Sequence, residues 1–278
     1  MIRIQTPAAA SDDAYLKKLC DQQPWLPHYA LWQAAYSGYR SHKGNPWHII
    51  RKDFIPDVSD QQTALYESRS SSKWIVNIRH MQLQSCPMCG SSGTGSVDHY
   101  LPKEDFPEFS VMAANLVPAC SHCNSGKKRR TFRGVTPNER FLHPYFDTLA
   151  DRPLWLTRIV PPYGAAQFEP VPIPGLSPSS SELVKFHLDH VLGPQFHRSV
   201  ENLWATYPQY LRDEVGGTGP VSSGRVRKEV LRSLRTSTLT SGQNSWSASF
   251  HRGLSKDDEA RKFLARAARA LKATPLPS

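Results

Sequence analysis

The sequence predicts an α+β protein in which a small metal-binding centre is embedded in a mostly α-helical chain. Residues 86–130 contain two Cys-x-x-Cys pairs, and segments with a helical spacing of apolar residues precede and follow them. A pair of β-prone runs lies between residues 154 and 173. We therefore expect a helical region at 1–85, a compact centre at 86–150, and a β-hairpin followed by helices at 151–278.

Charge and composition indicate which classes of partner the protein can bind. The chain has 278 residues, of which 39% are hydrophobic and 21% charged, and it can bury a full core. Its 34 Lys and Arg residues outnumber 24 Asp and Glu residues, for a net charge of +10. Such a surplus favours a polyanionic partner, most often nucleic acid. A basic surface that is simply solvated is the alternative.

The sequence also predicts a compartment. It has no apolar run of about 18 residues or more, so we expect no transmembrane helix and no membrane partner. The first residues lack the apolar core of a signal peptide. We therefore expect a reducing cytoplasm, where paired cysteines at this spacing are typical of metal sites rather than disulfides.

Apolar periodicity predicts three helices before the cysteine-rich stretch. The first runs from Asp12 to Gln23 and the second from His28 to His42. Ser59, followed three residues later by Gln62, resembles a capping box and predicts the start of a third helix. That helix reaches about Gln84, with a kink at a run of three serines.

The C-terminal region reads as a hairpin followed by helices. The runs LWLTRIV and QFEPVPI, separated by PPYGAA, predict a β-hairpin at 154–173. Helical spacing then covers residues 181–214, divided at Gly193-Pro194. A glycine-rich connection and a short basic helix follow. Ser255 with Asp258 resembles a capping box that opens the last helix.

The cysteine pairs predict a zinc site. They supply the four thiolates that a tetrahedral zinc ion requires: Cys86, Cys89, Cys120 and Cys123. The 90–119 gap between the pairs is longer than a simple zinc ribbon needs. Because this gap holds the dipeptide Asp98-His99, we expect the zinc to clamp a functional loop. A purely structural zinc knuckle is the alternative.

Three residues beside the cysteines predict phosphoryl-transfer chemistry. The carboxylate of Asp98 is a hard ligand suited to Mg²⁺ or Mn²⁺, and the imidazole of His99 can act as a general base. Asn124 directly follows the last cysteine and offers a weak, neutral oxygen ligand. Such a ligand set leaves most of the metal's coordination sphere to water and phosphate.

These motifs together resemble the HNH endonuclease family. Asp98-His99 is followed by Asn115-Leu-Val-Pro and then by Cys-x-x-Cys-Asn-x-x-Lys. The cysteine pairs resemble the zinc-stapled members of that family, whose centre has the ββα-metal fold. The resemblance covers about 45 of the 278 residues. The last motif position is Asn rather than His, a variation that the family admits.

The resemblance implies a role for each motif residue. His99 would be the general base, and Asp98 and Asn124 would hold the single catalytic ion. Asn115 would brace the hairpin loop and help to orient the base. Lys127 would contact a phosphate beside the metal. Standalone HNH proteins with helical flanks are also similar to effectors of phage-defence systems, some of which are paired with an ATPase.

Basic residues near the motif predict a nucleic-acid surface: Lys103, Lys127, Lys128, Arg129, Arg130 and Arg133. Lysine and arginine in such a groove bind phosphates without reading sequence. DNA is the expected substrate, and RNA is left open. A basic helix end that complements the helix dipole is the alternative for this run. For the protein as a whole, the alternative is a catalytically silent zinc module that binds nucleic acid or a protein partner.

Overall fold

The computed structural model describes residues 1–124, 131–214 and 220–274. Two compact units divide the chain. The first contains Met1–Asp151 with Glu182–Val191, and the second contains Arg152–Ser181 with Leu192–Ser278. The mixture of helices and strands confirms the coarse α+β expectation. The three-region division of the sequence stays a prediction.

Four helices precede the cysteine-rich stretch: α1 at Ala9–Cys20, α2 at Tyr29–Ser41, α3 at Pro56–Arg69 and α4 at Lys73–Arg79. The first two confirm the predicted helices, with ends shifted by one to three residues. Their inner faces carry the large aromatic side chains of the core, among them Trp32, which is fully buried.

The predicted start of the third helix was wrong. α3 begins at Pro56, because a proline at the first helical position needs no hydrogen-bonded N–H and its backbone is already set for the helix. Ser59 and Gln62 lie inside α3 and are buried, so they do not form a capping box. The predicted kink is a helix end: α3 stops at Arg69, and α4 starts after Ser72.

A short hairpin holds the centre of the first unit. Strand β1, Ser96–His99, pairs antiparallel with β2, Leu116–Ala119. Ile75 and Ile78 of α4 pack against Val97 and Leu116 on one side of the hairpin. The helix α5, Ser121–Asn124, follows β2 after a single residue. The first cysteine pair precedes β1, and the second pair directly follows β2. Both pairs are therefore next to the hairpin in the chain.

The second unit contains the predicted hairpin and helices. Strand β3, Trp155–Val160, pairs antiparallel with β4, Gln167–Pro172. The hairpin is followed by α6, Pro178–Val191, which ends in the first unit, and by α7, Pro194–Glu214. The break between α6 and α7 falls at the predicted glycine-proline pair. α8, Ser223–Ser241, is longer than the short basic helix that we expected.

The prediction of a single last helix was also wrong. The chain forms two helices there, α9 at Trp246–Lys256 and α10 at Asp258–Arg269. Asp257 caps α10, accepting a hydrogen bond from the backbone N–H of Ala260 at 2.9 Å. Ser255 lies inside α9, and its hydroxyl donates to the carbonyl of Arg252 instead. An aspartate one residue from the helix start thus replaced the proposed serine cap.

Among the described residues, no helix is both long and apolar enough to cross a membrane.

Gly253 lets α9 lie directly on β3. A Cβ atom built on Gly253 would sit 1.8 Å from the carbonyl oxygen of Thr157. Beside this contact, the hydroxyls of Thr157 and Ser249 are 3.0 Å apart and buried. Helix and strand backbones therefore meet at a distance that only glycine permits.

We predict opposite effects for two Gly→Ala changes in helices. Gly253→Ala forces α9 from β3 and should lower the free energy of unfolding by at least about 2 kcal/mol. Gly38→Ala in α2 meets no atom within 4 Å and should raise it by about 0.5–1 kcal/mol, because alanine has less freedom to lose than glycine. Denaturant titration of both variants measures the two changes, and equal effects would contradict this account of the packing.

Candidate active site

A pocket of about 290 Å³ brings several predicted residues together. Asp98 and His99, at the end of β1, line it with Lys103 and with Asn124, the last residue of α5. Adjacent residues of a strand point to opposite faces, so the convergence of Asp98 and His99 depends on the strand ending at that point. Asp98 is buried and His99 is partly buried.

A backbone carbonyl sets the tautomer of His99. The ring nitrogen Nε2 lies 2.9 Å from the carbonyl oxygen of Ser110. Because a carbonyl oxygen can only accept, Nε2 carries the proton and Nδ1 keeps the lone pair. Burial lowers the pKa of His99, which favours the neutral imidazole. A neutral ring with one oriented lone pair is the form that can accept a proton.

Asn115 joins the two ends of the loop between the strands. Its Oδ1 accepts from the N–H of Leu101 at 2.8 Å, and its Nδ2 donates to the carbonyls of Leu101 and Phe109 at 3.0 and 3.2 Å. The hydroxyl of Tyr39 in α2 donates to the same Oδ1 at 3.0 Å. Asn115 is fully buried, so every one of these bonds is shielded from water.

The contact of Tyr39 continues to a buried histidine. Nδ1 of His143 accepts from the N–H of Tyr145 at 3.2 Å, so Nε2 carries the proton and donates to the Tyr39 hydroxyl at 3.0 Å. The chain of bonds runs from His143 through Tyr39 to Asn115. No local sequence pattern predicts this chain of bonds, because the three residues are far apart along the chain.

Lys103 is held by a helix that precedes the motif. Its Nζ lies 2.8 Å from Oε1 of Glu67 and 5.6 Å from the ring centre of Tyr66. The side chain of Lys103 is 14% exposed and that of Glu67 70% exposed. The pocket therefore presents a cation whose charge is partly balanced by a carboxylate. Tyr66 and Glu67 both line the pocket and were not among the predicted site residues.

Arg133, the other predicted cation in the described part of the chain, does not line this pocket. The guanidinium of Arg133 lies 4.8 Å from the ring centre of Trp47 and donates to the carbonyl of Pro46 at 2.9 Å. Four further predicted residues lie outside the described part of the chain: Lys127, Lys128, Arg129 and Arg130.

The four predicted cysteines form one cluster. Their sulfur atoms all lie within 4.8 Å of one another, with Cys86 and Cys123 at 3.9 Å and Cys89 and Cys120 at 3.7 Å. A tetrahedral zinc ion with Zn–S bonds of about 2.3 Å separates its sulfurs by about 3.8 Å. None of the four forms a disulfide bond. The spacing and donor chemistry thus fit a zinc ion.

Backbone groups support the charge that such thiolates carry. The N–H of Cys120 points to the sulfur of Cys86 at 3.4 Å, and that of Cys123 to the sulfur of Cys120 at 3.5 Å.

His187 of α6 holds the turn that contains the first cysteine pair. Its Nδ1 accepts from the N–H of Leu142 at 3.0 Å, and its Nε2 donates to the carbonyl of Met88 in that turn at 2.7 Å. The sequence gave no local signal for His187, which lies 99 residues from Met88.

Comparison with known proteins agrees with this geometry. Residues 86–130 match the model of the HNH endonuclease family. This segment is an HNH domain. The chain is also similar to protein ea31 of Escherichia phage lambda, with 48% identity over 65 residues. That match covers 23% of this chain and 22% of ea31, so the two proteins share a segment of about a fifth of their length. No solved structure matches the chain.

We predict that the HNH domain binds one zinc ion per chain through its cysteine cluster. Cys89→Ser removes one of four thiolates and should abolish most of the bound zinc, whereas Cys20→Ser, in α1 and outside the cluster, should leave it unchanged. Elemental analysis of the purified proteins measures this. Equal zinc content in the two variants would contradict the assignment.

We also predict that Asn115 is critical for stability. Asn115→Ala leaves buried groups of Leu101, Phe109 and Tyr39 without their partner and should lower the free energy of unfolding by about 3 kcal/mol or more. Asn77→Ala on the exposed face of α4 is the matched control and should change it by less than about 0.5 kcal/mol. Denaturant titration distinguishes the two; similar values would show that the Asn115 bonds contribute little.

Proposed function

We propose that this protein is a metal-dependent endonuclease that hydrolyses phosphodiester bonds in DNA. One observation carries the proposal: within a segment that matches the HNH endonuclease family, Asp98, His99 and Asn124 line a single pocket. Hydrolysis of a phosphodiester bond needs a base that takes a proton from the attacking water. It also needs a positive charge that stabilises the transition state. The pocket holds groups suited to both tasks.

His99 is the general base of this proposal. Its Nε2–H is held by the carbonyl of Ser110, so the proton of the attacking water passes to Nδ1. The lowered pKa keeps the ring neutral near pH 7, and the base is ready without a prior deprotonation. Asn115 keeps the loop that carries this carbonyl in place through its bonds to Leu101 and Phe109.

Asp98 and Asn124 would hold the catalytic ion, Mg²⁺ or Mn²⁺. One carboxylate and one amide oxygen fit a hard cation that keeps several sites for water and phosphate. When bound, the ion stabilises negative charge on the phosphate and on the leaving oxygen. The cysteine cluster would hold a separate structural zinc, which fixes the start of α5 and with it Asn124.

Cations would bring the DNA backbone to the pocket. Lys103 is the one lysine or arginine among the described residues that line the pocket. Arg133 and the basic run at 127–130 would extend the contact along the strand. We further propose that cleavage takes place in the cytoplasm and that a protein partner, such as an ATPase, controls it.

Cleavage of a supercoiled plasmid tests the proposal. The protein with Mg²⁺ or Mn²⁺ should nick or linearise the DNA, and EDTA should stop it. His99→Ala should lower the rate by about 10²-fold or more, because the base is lost. His197→Ala, at an exposed position of the second unit, is the matched control and should cleave normally.

Two outcomes count against the proposal. Full activity of His99→Ala would show that another group is the base. A folded, zinc-loaded protein that retards DNA on a gel yet cleaves none with either metal would favour the silent zinc module, or a nuclease that acts only with its partner.

A further inference from the structure

Helix α3 lies outside the HNH match but is hydrogen-bonded to the loop that follows the proposed base. The hydroxyl of Ser110 donates to the carbonyl of Gln62. The hydroxyl of Thr63 donates to the carbonyl of Lys103 at 3.4 Å. These bonds connect the middle of α3 to both sides of the loop that leaves β1. Since Ser110 also accepts from His99, one residue connects α3 to the imidazole.

Tyr66 makes the direct contact between α3 and the imidazole. Its ring centre lies 4.5 Å from that of His99, with the ring planes at 74°. This edge-to-face arrangement is a preferred geometry for two aromatic rings. Tyr66 lies four residues after Gln62, so both sit on the same face of the helix. That face therefore contacts the ring of His99 and also the residue that fixes its Nε2.

A single hydrogen bond does not fix the plane of an imidazole. The bond from Nε2 to Ser110 restrains one ring atom, while the ring can still tilt about that atom. A second contact on the ring removes this freedom. Tyr66 supplies it, and its own position is fixed because it packs against the core formed by Ile75, Ile78, Val97 and Leu116.

We propose that Tyr66 is a positioning residue that holds the His99 ring in the orientation required for proton transfer, which makes α3 a working part of the nuclease centre. The inference rests on the proposed function, since it concerns the same base. It goes further, because neither Tyr66 nor α3 belongs to the matched segment. The aromatic ring is the acting group, and the hydroxyl is dispensable.

Steady-state cleavage of a short DNA duplex with saturating Mg²⁺ tests the role of the ring. Tyr66→Leu and Tyr66→Met keep apolar volume but remove the aromatic contact, and each should lower kcat by about 10- to 100-fold with KM nearly unchanged, as expected for a misplaced catalytic group. Tyr66→Phe keeps the ring and should retain wild-type kcat. Tyr210→Leu, on α7 in the second unit, controls for loss of a tyrosine.

Imidazole NMR of the full-length protein gives a readout that does not require cleavage. The Nε2–H of His99 should exchange slowly with water in the wild type and in Tyr66→Phe, and rapidly in Tyr66→Leu. If the wild type cleaves no DNA but the NMR pattern appears, the proposed function fails while the positioning contact stands.

Three results would overturn the inference. One is an unchanged kcat together with slow exchange in Tyr66→Leu and Tyr66→Met. A second is Tyr66→Phe as impaired as Tyr66→Leu, which would assign the effect to the hydroxyl. The third is a raised KM with normal kcat, which would make Tyr66 a DNA contact instead. Zinc content equal to that of the wild type in each variant ensures that the comparison concerns the pocket and not general unfolding.

Discussion

The buried amide of Asn115 is the constraint on which the pocket depends. One side chain bonds to both ends of the loop between the strands and to a hydroxyl from α2. The loop carries the carbonyl of Ser110 that orients His99, so the imidazole is held indirectly by an amide that does not itself line the pocket. Because these bonds are buried, loss of any one leaves an unsatisfied polar group rather than a hydrated one.

Three parts of the chain beyond the hairpin loop also support the region around the pocket. α2 contributes Tyr39, which is held in turn by His143. α3 contacts the imidazole through Tyr66. The cysteine cluster joins the start of α5 to the turn before β1, and His187 bonds to that turn. A matched segment of 45 residues is too short to bury a stable core alone, and these supports supply the packing it lacks.

The electrostatics of the pocket are mixed although the chain is strongly basic. Lys103 is paired with Glu67, and the carboxylates of Asp98 and Glu104 lie in the same lining. Carboxylates attract divalent cations, whereas a uniformly basic pocket would repel them. The net charge of +10 therefore resides mainly on the wider surface, where it favours approach to a polyanion, while the pocket lining combines one lysine with several carboxylates.

Local spacing is enough to predict which residues come together in the cysteine cluster and in the pocket. Two Cys-x-x-Cys pairs predicted a cluster that the structure assembles, and Asp98-His99 with Asn124 predicted side chains that share a pocket. Helices with clear apolar periodicity were also predictable, since neighbouring residues decide that pattern. The capping predictions at Ser59 and Ser255 failed because a proline and an aspartate nearby make better helix starts.

The contacts that support those residues depend on the tertiary structure. Tyr39, Tyr66 and His187 are ordinary core or helix positions in the sequence, and their contacts span 33 to 99 residues. No periodicity or motif records a partner at such a distance, because it depends on how whole elements pack. Local sequence patterns thus predict which side chains share the pocket and the cysteine cluster, whereas the packing of α2, α3 and α6 around one hairpin sets their orientation.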